Sequence, residues 1–257
     1  MTFPAPFLAA VRVIPERVPP SEEHPYNLPF LQTLDLEFSS AVTVFVGENG
    51  SGKSTLLEAI AALSRLPVAG GSRNDLGSKY SPETDSALAA VLRPSFHRRP
   101  TDGYFLRAEF QAHFASLLDA RAADPEFGRD PYARYGGKSL HARSHGEAFL
   151  SVIQSRFHAG LFLLDEPEAA LSPQRQLALL ALMHTLVEQG DAQFVMATHS
   201  PILMTFPGAQ LVSFDDPTLP RIRIEDTTHF EITRGMLESP GRYWKHLLDQ
   251  DIESPAD

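Results

Sequence analysis

The chain contains no cysteine, which excludes disulfide bonds and metal sites built from thiolates. It has no long apolar run either: the longest, Leu177 to Val187, is interrupted by His184 and Thr185, and a membrane-spanning helix needs about 20 apolar residues. Its first residues carry no basic lead and no small-residue cleavage site, so they are not interpreted as a signal peptide. We therefore expect a soluble, cytoplasmic protein with no membrane insertion.

Positive charge is scarce as well. The 257 residues include 22 Lys and Arg against 32 Asp and Glu, which gives a net charge of −10 at pH 7. A generic nucleic-acid binder is more often basic. The densest basic cluster, "RPSFHRRP" from Arg93 to Pro100, is expected to be a solvated connecting loop, because charge runs are usually solvated faces. Nucleic acid stays open as a partner, but the charge does not indicate it.

Apolar stretches and helical patterns alternate along the chain. Ala41 to Val46 and Leu161 to Leu164 are predicted to be buried strands, and helices are predicted over Gly52 to Leu66 and Pro173 to Gln189. Strands that alternate with helices indicate an α/β fold with a mainly parallel sheet flanked by helices. We expect one domain over residues 1–257.

Two further regions of the sequence are predicted to contribute strands. The stretch "LQTLDLEF", Leu31 to Phe38, alternates apolar and polar residues and predicts a half-buried strand. Nearer the C-terminus, "QLVSFD" and "RIRIED" are both predicted to be edge strands. A C-terminal amphipathic helix is expected to follow them and to end near Leu248.

The stretch "VFVGENGSGKSTLLEAIAAL" carries a phosphate-loop motif. Gly47, Gly52, Lys53 and Ser54 satisfy G-x-x-x-x-G-K-[ST] between a buried strand and a helix, the context that confirms this motif. Glycines let backbone N–H groups curl around a phosphate, and the helix directs its positive N-terminus at it. Lys53 is predicted to reach the β- and γ-phosphates, and the Ser54 hydroxyl to bind Mg²⁺. The predicted nucleotide-binding residues are Gly47, Glu48, Asn49, Gly50, Ser51, Gly52, Lys53, Ser54 and Thr55.

A pair of carboxylates follows a later apolar strand, in "LFLLDEPEAALSP". Asp165 and Glu166 should lie at the carboxyl edge of the sheet, where the phosphate loop also lies. Asp165 is predicted to hold Mg²⁺ through water, and Glu166 to polarise the water that attacks the γ-phosphate. The simpler alternative is that both cap the next helix. Pro167 and Pro173 weaken that alternative, because they delay the helix to about Pro173, with Ser172 as its cap.

The stretch "FVMATHSP" repeats this design, with His199 at the tip of an apolar strand. A neutral imidazole there can contact a γ-phosphate or the attacking water. A lone histidine is usually structural, but its position after a buried strand and downstream of the acidic pair favours a functional role. The predicted catalytic residues are therefore Glu166, His199 and Lys53, with ATP and Mg²⁺ as cofactors.

The order of these motifs, "GENGSGKST", then "LLDEPEAALSPQRQ", then "ATHSP", resembles that of the ABC-type ATPase superfamily. More narrowly, the motifs resemble those of stand-alone ATPases near the SMC and RecF-like branch, and the resemblance covers about Leu8 to Leu248. It implies the P-loop NTPase fold of an ABC-type head domain, with an antiparallel N-terminal β portion and a helical signature subregion at about 111–158. It also implies an ATP-dependent homodimer in which each chain completes the other chain's site.

The family's signature motif, Leu-Ser-Gly-Gly-Gln or a variant, opens the helix before the acidic strand. Here "RSHGEAFLSVIQSRF" stands in that place, and the resemblance assigns Ser144 and Gly146 to the γ-phosphate of the opposite subunit's ATP. A serine hydroxyl, a glycine N–H and a helix N-terminus together form an anion site. The simpler alternative is a helix cap. Ala169 to Ser172 would be the loop that communicates across the dimer interface.

Two positions depart from the family pattern. The stretch "GYFLRAEF", Gly103 to Phe110, is predicted to be a strand, and the family's glutamine loop should follow it. Glu109 and Gln111 compete for that role, and neither is a clear match. The adenine ring could stack on Tyr26, on Phe30 or on neither. The sequence therefore leaves both the glutamine-loop residue and the adenine contact open.

The interval from Gln111 to Ser144 holds only a short helix and loops broken by proline and glycine, so the long coiled coil of SMC proteins does not fit. The resemblance then implies a compact ATPase whose dimer closes on ATP and reopens on hydrolysis, to act on a separate, unidentified protein. One alternative is the ATP-binding subunit of a membrane transporter, although the signature is degenerate. Another is a nucleotide-gated scaffold associated with DNA repair, against which the intact Glu166 and His199 argue.

Overall fold

The computed structural model describes residues 6–73, 85–107, 118–119, 121–124, 128, 130–133, 137 and 145–250. The β-strands in these ranges are β1 (Leu8–Val13), β2 (Asp35–Glu37), β3 (Val42–Val46), β4 (Gly71–Ser72), β5 (Leu92–Phe96), β6 (Gly103–Arg107), β7 (Gly160–Asp165), β8 (Ala192–Ala197), β9 (Gln210–Ser213) and β10 (Arg221–Ile222). The α-helices with described bounds are α1 (Lys53–Leu63), α2 (His145–Arg156), α3 (Pro173–Glu188), α4 (Pro201–Met204), α5 (Thr228–Glu238) and α6 (Pro240–Gln250).

The main sheet has the strand order β10-β9-β3-β8-β7-β6-β4. The strands β9, β3, β8, β7 and β6 pair in parallel, whereas β10 and β4 run antiparallel at the two edges. Every residue of β3, β7 and β8 is buried, as expected for near-continuous apolar strands that are covered on both faces. The predicted mainly parallel sheet is confirmed.

A second, antiparallel sheet with the order β2-β1-β5 forms the N-terminal β portion, as predicted. Two glutamines from the main sheet connect to it. Gln193 accepts the backbone N–H groups of Phe7 and Leu8 at 2.8 Å each, and donates to the Leu8 carbonyl at 3.0 Å. Gln210 donates to the Glu37 carbonyl at 2.8 Å. Because buried backbone groups need such partners, these bonds fix the position of the small sheet on the large one.

Apolar side chains pack in two clusters, one on each face of the main sheet. Leu164 shares one cluster with Met183 of α3, whereas its neighbour Leu163 shares the other with Leu57 of α1. This division follows from the alternation of side chains along a strand. The helices α1 and α3 therefore flank the sheet on opposite faces, which confirms the predicted layers.

Three local predictions differ from the structure. Of the stretch Leu31 to Phe38, only Asp35–Glu37 is a strand, because Leu31–Thr33 forms a 3₁₀ helix that places Leu31 in the core. The stretch "QLVSFD" is not an edge strand, since β9 pairs with both β3 and β10. The basic cluster does not begin as a loop, since Leu92–Phe96 pairs with β1.

No helix within the described ranges is both long enough and apolar enough to cross a lipid bilayer. The predicted helical subregion at about 111–158 lies partly outside the described residues, and α2 is its longest described helix. The single-domain organisation over 1–257 stays a prediction.

Candidate nucleotide-binding site

Four parallel strands end at the same edge of the main sheet. The strand register places Arg107 beside Asp165, and Asp165 beside the last residue of β8. Directly after β8, Thr198 donates its N–H to the carbonyl of Phe45 in β3, at 3.2 Å. The segments that follow β3, β6, β7 and β8 therefore meet at this edge, where ligands bind in open α/β sheets.

The phosphate loop has a backbone shape that its glycines permit. Gly47 has a φ of +144° and Gly52 a φ of +95°, in the region where a side chain causes strain. A Cβ at Gly52 would lie 2.8 Å from the Phe30 ring, and one at Gly47 would lie 2.9 Å from the Asp215 carboxylate. The helix α1 begins at the next residue after Gly52, so the loop and the helix N-terminus form one phosphate-binding structure.

Lys53 is the first residue of α1, directly after the loop, and is only 4% exposed. Its Nζ donates to the carbonyl of Gly47 at 2.7 Å and to that of Glu48 at 2.8 Å. Burial lowers the pKa of Lys53, whereas the negative charges of Glu166 and Asp215 raise it. Backbone oxygens thus hold an ammonium group at the place where the motif requires a cation for the β- and γ-phosphates.

An open cleft lies over the loop. Its lining combines the loop and α1 with two residues from distant segments; the lining residues are His24, Asn49, Gly50, Gly52, Lys53, Ser54, Thr55 and Glu166. His24 Nε2 lies 3.4 Å from the Thr55 hydroxyl oxygen. The structure therefore brings most of the predicted nucleotide-binding residues together with Glu166, the predicted catalytic carboxylate.

Ser54 and Asp165, the two predicted Mg²⁺ ligands, are in direct contact. Ser54 Oγ donates to Asp165 Oδ1 at 2.8 Å. Asp165 Oδ2 lies 3.5 Å from Arg107 Nε, and Arg107 Nη1 also donates to Glu58 Oε1 at 2.7 Å. Burial raises the pKa of Asp165 to about 6, although the Ser54 hydrogen bond and the Arg107 charge both lower it.

This donor set fits Mg²⁺. The ion prefers oxygen ligands, usually takes one or two carboxylates from the protein, and completes its shell with water and substrate phosphates. A hydroxyl and a carboxylate side by side at the phosphate loop are the protein ligands of that arrangement. Within the described ranges, no group of three or more His, Cys, Asp or Glu side chains could hold a metal ion by itself. Nucleotide phosphates would therefore be part of the coordination.

Glu166 follows β7 in an unusual backbone conformation. Its φ is +47°, in the left-handed region that a glutamate rarely adopts, and its N–H donates to the Ala197 carbonyl at 3.0 Å. Its side chain is 46% exposed, and its Oε1 lies 3.7 Å from His199 Nε2. A 3₁₀ helix, Pro167–Ala170, begins directly after Glu166, but the Glu166 side chain makes no capping hydrogen bond to it. The α-helix α3 begins only at Pro173, so neither carboxylate caps it. The Glu166 carboxylate has the access to water that a general base needs.

His199 follows β8 and is held by two contacts. Its backbone N–H donates to Glu168 Oε1 at 2.6 Å, and its Nδ1 lies 2.8 Å from His229 Nε2. Burial lowers the pKa of His199, and the nearby charge of Lys53 lowers it further. These effects favour a neutral imidazole, with Nε2 on the side of Glu166.

The turns after β7 and β8 are also connected through Gln176 of α3. Ser200 Oγ donates to Gln176 Oε1 at 2.6 Å, and Gln176 Nε2 donates to the Leu171 carbonyl at 3.1 Å. Because both polar side chains are buried, these bonds form in a medium of low dielectric constant and are correspondingly strong. They hold the Glu166 turn and the His199 turn against the same helix.

Among the charged and polar side chains at this edge, Arg107, Glu168 and His229 are absent from the sequence prediction. Arg107 had only a weak signal, its place within the strand predicted to end near Phe110, because its contact with Asp165 depends on which strands are neighbours in the sheet. Glu168 and His229 had none, because no sequence pattern connects either residue with His199. Their contacts follow from the three-dimensional packing alone.

The predicted signature residues are only partly described. Gly146 lies in the first turn of α2, which begins at His145, in agreement with a signature at a helix N-terminus. Ser144 lies outside the described residues, as do the two candidates for the glutamine loop, Glu109 and Gln111. The structure therefore does not test these three assignments.

Of the two candidates for stacking on adenine, Phe30 is wrong. Its ring is 1% exposed, lies in the core beneath Gly52 and packs edge-on against Phe214, with ring centroids 5.3 Å apart. A ring buried in this way has no free face for a base. Tyr26 is partly buried against the same core cluster and stays open as a stacking residue.

Comparison with known proteins identifies similar ATP-binding proteins. A family profile described as "AAA domain" matches residues 27–81, and one described as "AAA domain, putative AbiEii toxin, Type IV TA system" matches residues 147–205. The chain is 34% identical over 181 residues to the hemin import ATP-binding protein HmuV of Streptomyces coelicolor, covering 65% of this chain and 63% of that protein. It is 31% identical over 183 residues to the nickel import ATP-binding protein NikO of Rhodobacter capsulatus, covering 62% and 68%.

A third relative is the ribose import ATP-binding protein RbsA 2 of Burkholderia cenocepacia, 29% identical over 189 residues, of whose length the chain spans 36%. The chain thus spans less than two thirds of HmuV and of RbsA 2. Among solved structures, an ATP-binding cassette of an ABC transporter in its ADP conformation superposes with a TM-score of 0.50 at 13% identity, over 90% of this chain and 100% of that one. At that identity, the likeness shows the fold.

Proposed function

Since this chain belongs to the ABC-type ATPase superfamily, we propose that it binds ATP with Mg²⁺ at the cleft over the phosphate loop and hydrolyses it. We further propose a cytoplasmic protein whose ATP-bound homodimer drives a conformational change in a separate protein partner. The observation that supports the ATPase most directly is the convergence of Lys53, Asp165, Glu166 and His199 at one edge of the sheet.

The loop side of the cleft is formed by the phosphate loop and the start of α1, Gly47 to Thr55, and its proposed role is binding and charge neutralisation. Lys53 Nζ exchanges its backbone carbonyl partners for β- and γ-phosphate oxygens, and the loop N–H groups donate to the same phosphates. Ser54 and Asp165 would hold Mg²⁺, and the bound ion would neutralise negative charge on the phosphates. Positioning and charge stabilisation of this kind supply most of the rate enhancement in phosphoryl transfer.

The histidine side of the cleft is formed by Glu166, Glu168, His199 and His229, and its proposed role is proton transfer. Glu166 accepts a proton from the attacking water, because its half-exposed carboxylate lines the cleft. His199 Nε2, 3.7 Å from that carboxylate, donates to a γ-phosphate oxygen or orients the water. The strained turn at Glu166 keeps its carboxylate next to the imidazole.

The homodimer is supported by the place of the signature residues. Gly146 in the first turn of α2 offers a helix N-terminus that fits the γ-phosphate of the opposite subunit's ATP, with Ser144 beside it in sequence. The loop Ala169 to Ser172 follows directly on the acidic pair and includes the end of a 3₁₀ helix, Pro167–Ala170. It is the segment through which we propose that the two sites communicate.

A second candidate function is the ATP-binding subunit of a membrane transporter. The observation that favours it is that HmuV, NikO and RbsA 2 are all named import ATP-binding proteins. The degenerate signature "SHGE" weighs against it. Separation of cell fractions distinguishes the two: a transporter subunit sediments with membranes, whereas the ATPase of the first proposal stays in the supernatant.

The substitution Glu166→Gln tests the leading proposal. It removes the proton acceptor and keeps the shape, so we expect ATP hydrolysis to fall about 100-fold or more while ATP affinity is retained. Because bound ATP is then not consumed, the dimer should accumulate. Steady-state phosphate release, nucleotide titration and gel filtration with light scattering measure these three quantities.

The matched control is Glu188→Gln, which neutralises an exposed carboxylate at the end of α3. It should leave hydrolysis and the monomer–dimer equilibrium unchanged. An unaltered hydrolysis rate in the Glu166→Gln variant would remove the proposed base. A variant that binds ATP but elutes only as a monomer would contradict the ATP-sandwiched dimer.

A further inference from the structure

The N-terminus of α5 lies next to the predicted catalytic histidine. His229, in the first turn of this helix, places its Nε2 2.8 Å from His199 Nδ1, and the two rings lie 4.9 Å apart at an angle of 49°. His229 is only partly exposed. The distance is that of a hydrogen bond between imidazole nitrogens, so the two side chains share one hydrogen.

The helix start is itself fixed. Thr227, at the N-cap of α5 and 4% exposed, accepts the Phe230 N–H at 3.2 Å and donates its hydroxyl to the Ile224 carbonyl at 2.7 Å. The helix also contacts α4, which begins two residues after His199. A capped and packed helix turn holds His229 in one position relative to His199.

Only one of two arrangements of the shared hydrogen suits the surroundings of His199. If His199 Nδ1 carried the hydrogen, the bare Nε2 lone pair of a neutral ring would face the Glu166 carboxylate at 3.7 Å, and two acceptors would oppose each other. If His229 Nε2 carries it, His199 Nδ1 accepts and Nε2–H faces the carboxylate. The neutral form of His199 is favoured by its burial and by Lys53.

We propose that His229 is a positioning residue for the ATPase reaction: its Nε2–H donates to His199 Nδ1 and thereby fixes His199 as the Nε2–H tautomer. This inference rests on the proposed function of His199. A fixed Nε2–H gives a single hydrogen-bond donor at the cleft, next to Glu166, for a γ-phosphate oxygen. A rotated or wrong-tautomer imidazole would instead present a lone pair to two anionic groups.

The first test measures the tautomer itself, without nucleotide. In the full chain with ¹⁵N-labelled histidine, long-range ¹H–¹⁵N spectra distinguish a protonated from an unprotonated ring nitrogen. His199 is assigned from the signals that disappear in the His199→Gln variant. We expect Nε2 of His199 to be protonated and Nδ1 unprotonated, with Nε2 of His229 protonated.

Three substitutions separate hydrogen-bond donation from packing. His229→Gln places an amide N–H near the former Nε2 and should preserve the tautomer, because the amide can donate to His199 Nδ1. His229→Glu offers only acceptors when ionised, so His199 Nδ1 should become protonated. His229→Ala removes the partner and should leave His199 with a mixture of tautomers.

The kinetic test uses the same three variants of His229. We expect kcat for ATP hydrolysis to fall about 10-fold in the His229→Ala and His229→Glu variants, with ATP affinity within about twofold of the wild type, and to recover in His229→Gln. Thr233→Ala, at an exposed position one helical turn further along α5, is the matched control and should change neither quantity. A purely structural role of His229 would not make the Gln and Glu variants differ in this way.

Two results would overturn the inference: a protonated Nδ1 on His199 in the wild type, or the same His199 tautomer in the Gln and Glu variants. A wild-type chain that binds ATP without hydrolysing it would overturn the proposed function instead. The tautomer measurement uses no nucleotide, so the two failures are distinguishable.

Discussion

The two sides of the cleft are built in different ways. On the loop side, Lys53 and Ser54 come from one short segment, in which the loop and the start of α1 are consecutive. On the histidine side, Glu168, His199 and His229 come from segments that lie 30 or more residues apart along the chain. The loop side is a local structure, whereas the histidine side exists only when several segments are packed together.

The two sides also differ in charge and exposure. The loop side holds a buried ammonium among backbone carbonyls, a group suited to binding anions. The histidine side holds an imidazole next to the half-exposed carboxylate of Glu166, a pair suited to proton transfer. We therefore expect changes on the loop side to alter nucleotide affinity, and changes on the histidine side to alter the rate of hydrolysis.

The largest effect should come from Lys53→Ala. The variant loses the cation that meets the β- and γ-phosphates, so we expect ATP affinity to fall by about 100-fold or more. Isothermal titration calorimetry with Mg-ATP measures this quantity. Because the ammonium is buried, thermal unfolding should be followed in parallel, to show that the variant is folded at the temperature of the titration.

Lys245→Ala is the control for that change, since Lys245 lies at an exposed position of α6. It should bind ATP like the wild type. An unchanged ATP affinity in the folded Lys53→Ala variant would contradict the assignment of the phosphate loop. It would also contradict the proposal that the loop side binds the nucleotide and the histidine side takes part in its hydrolysis.

Sequence reasoning predicts the loop side well, because each part of it is local. Gly47, Gly52 and Lys53 are specified by spacing alone, and the burial of β3 follows from its composition. Asp165 and His199 are also predictable, since each follows an apolar strand of a parallel sheet and such strands end at a common edge.

Other features could not be predicted, because they depend on which segments meet. His229 lies 30 residues from His199 and contacts it through the packing of α5. Arg107 contacts Asp165 only because β6 and β7 are neighbours in the sheet. Phe30 is a residue whose predicted role the packing excludes: its aromatic ring is of the type that stacks on a base, but the loop at Gly52 covers it.

The next effect is an increase in stability: Asp165→Asn should raise the free energy of unfolding in magnesium-free buffer. Burial raises the pKa of Asp165 from 3.8 to about 6, so between these values the folded chain holds a proton that the unfolded chain has lost. The free energy of unfolding therefore falls as pH rises through this window. At pH 7 the variant, which lacks this titration, should be more stable than the wild type by about 1–3 kcal/mol.

Urea denaturation at pH 7 and at pH 4 measures this difference, which should shrink at the lower pH. Glu188→Gln, with its exposed carboxylate, should show no such trend. An Asp165→Asn variant that is less stable than the wild type at pH 7 would show that the ion pair with Arg107 outweighs the burial of the carboxylate.

The smallest effect should come from Glu168, whose carboxylate contacts the backbone of His199 and not the reacting groups. Its Oε1 accepts the His199 N–H at 2.6 Å, so Glu168→Ala frees the backbone of the histidine turn, whereas Glu168→Gln keeps an acceptor oxygen. We expect kcat to fall about 5-fold in the Ala variant and to stay within about twofold in the Gln variant, with ATP affinity unchanged in both. A Glu168→Ala variant with lower ATP affinity and an unchanged kcat would contradict the comparison. A residue that contacts His199 would then affect nucleotide binding at the phosphate loop, and the two sides of the cleft would not have separate roles in binding and hydrolysis.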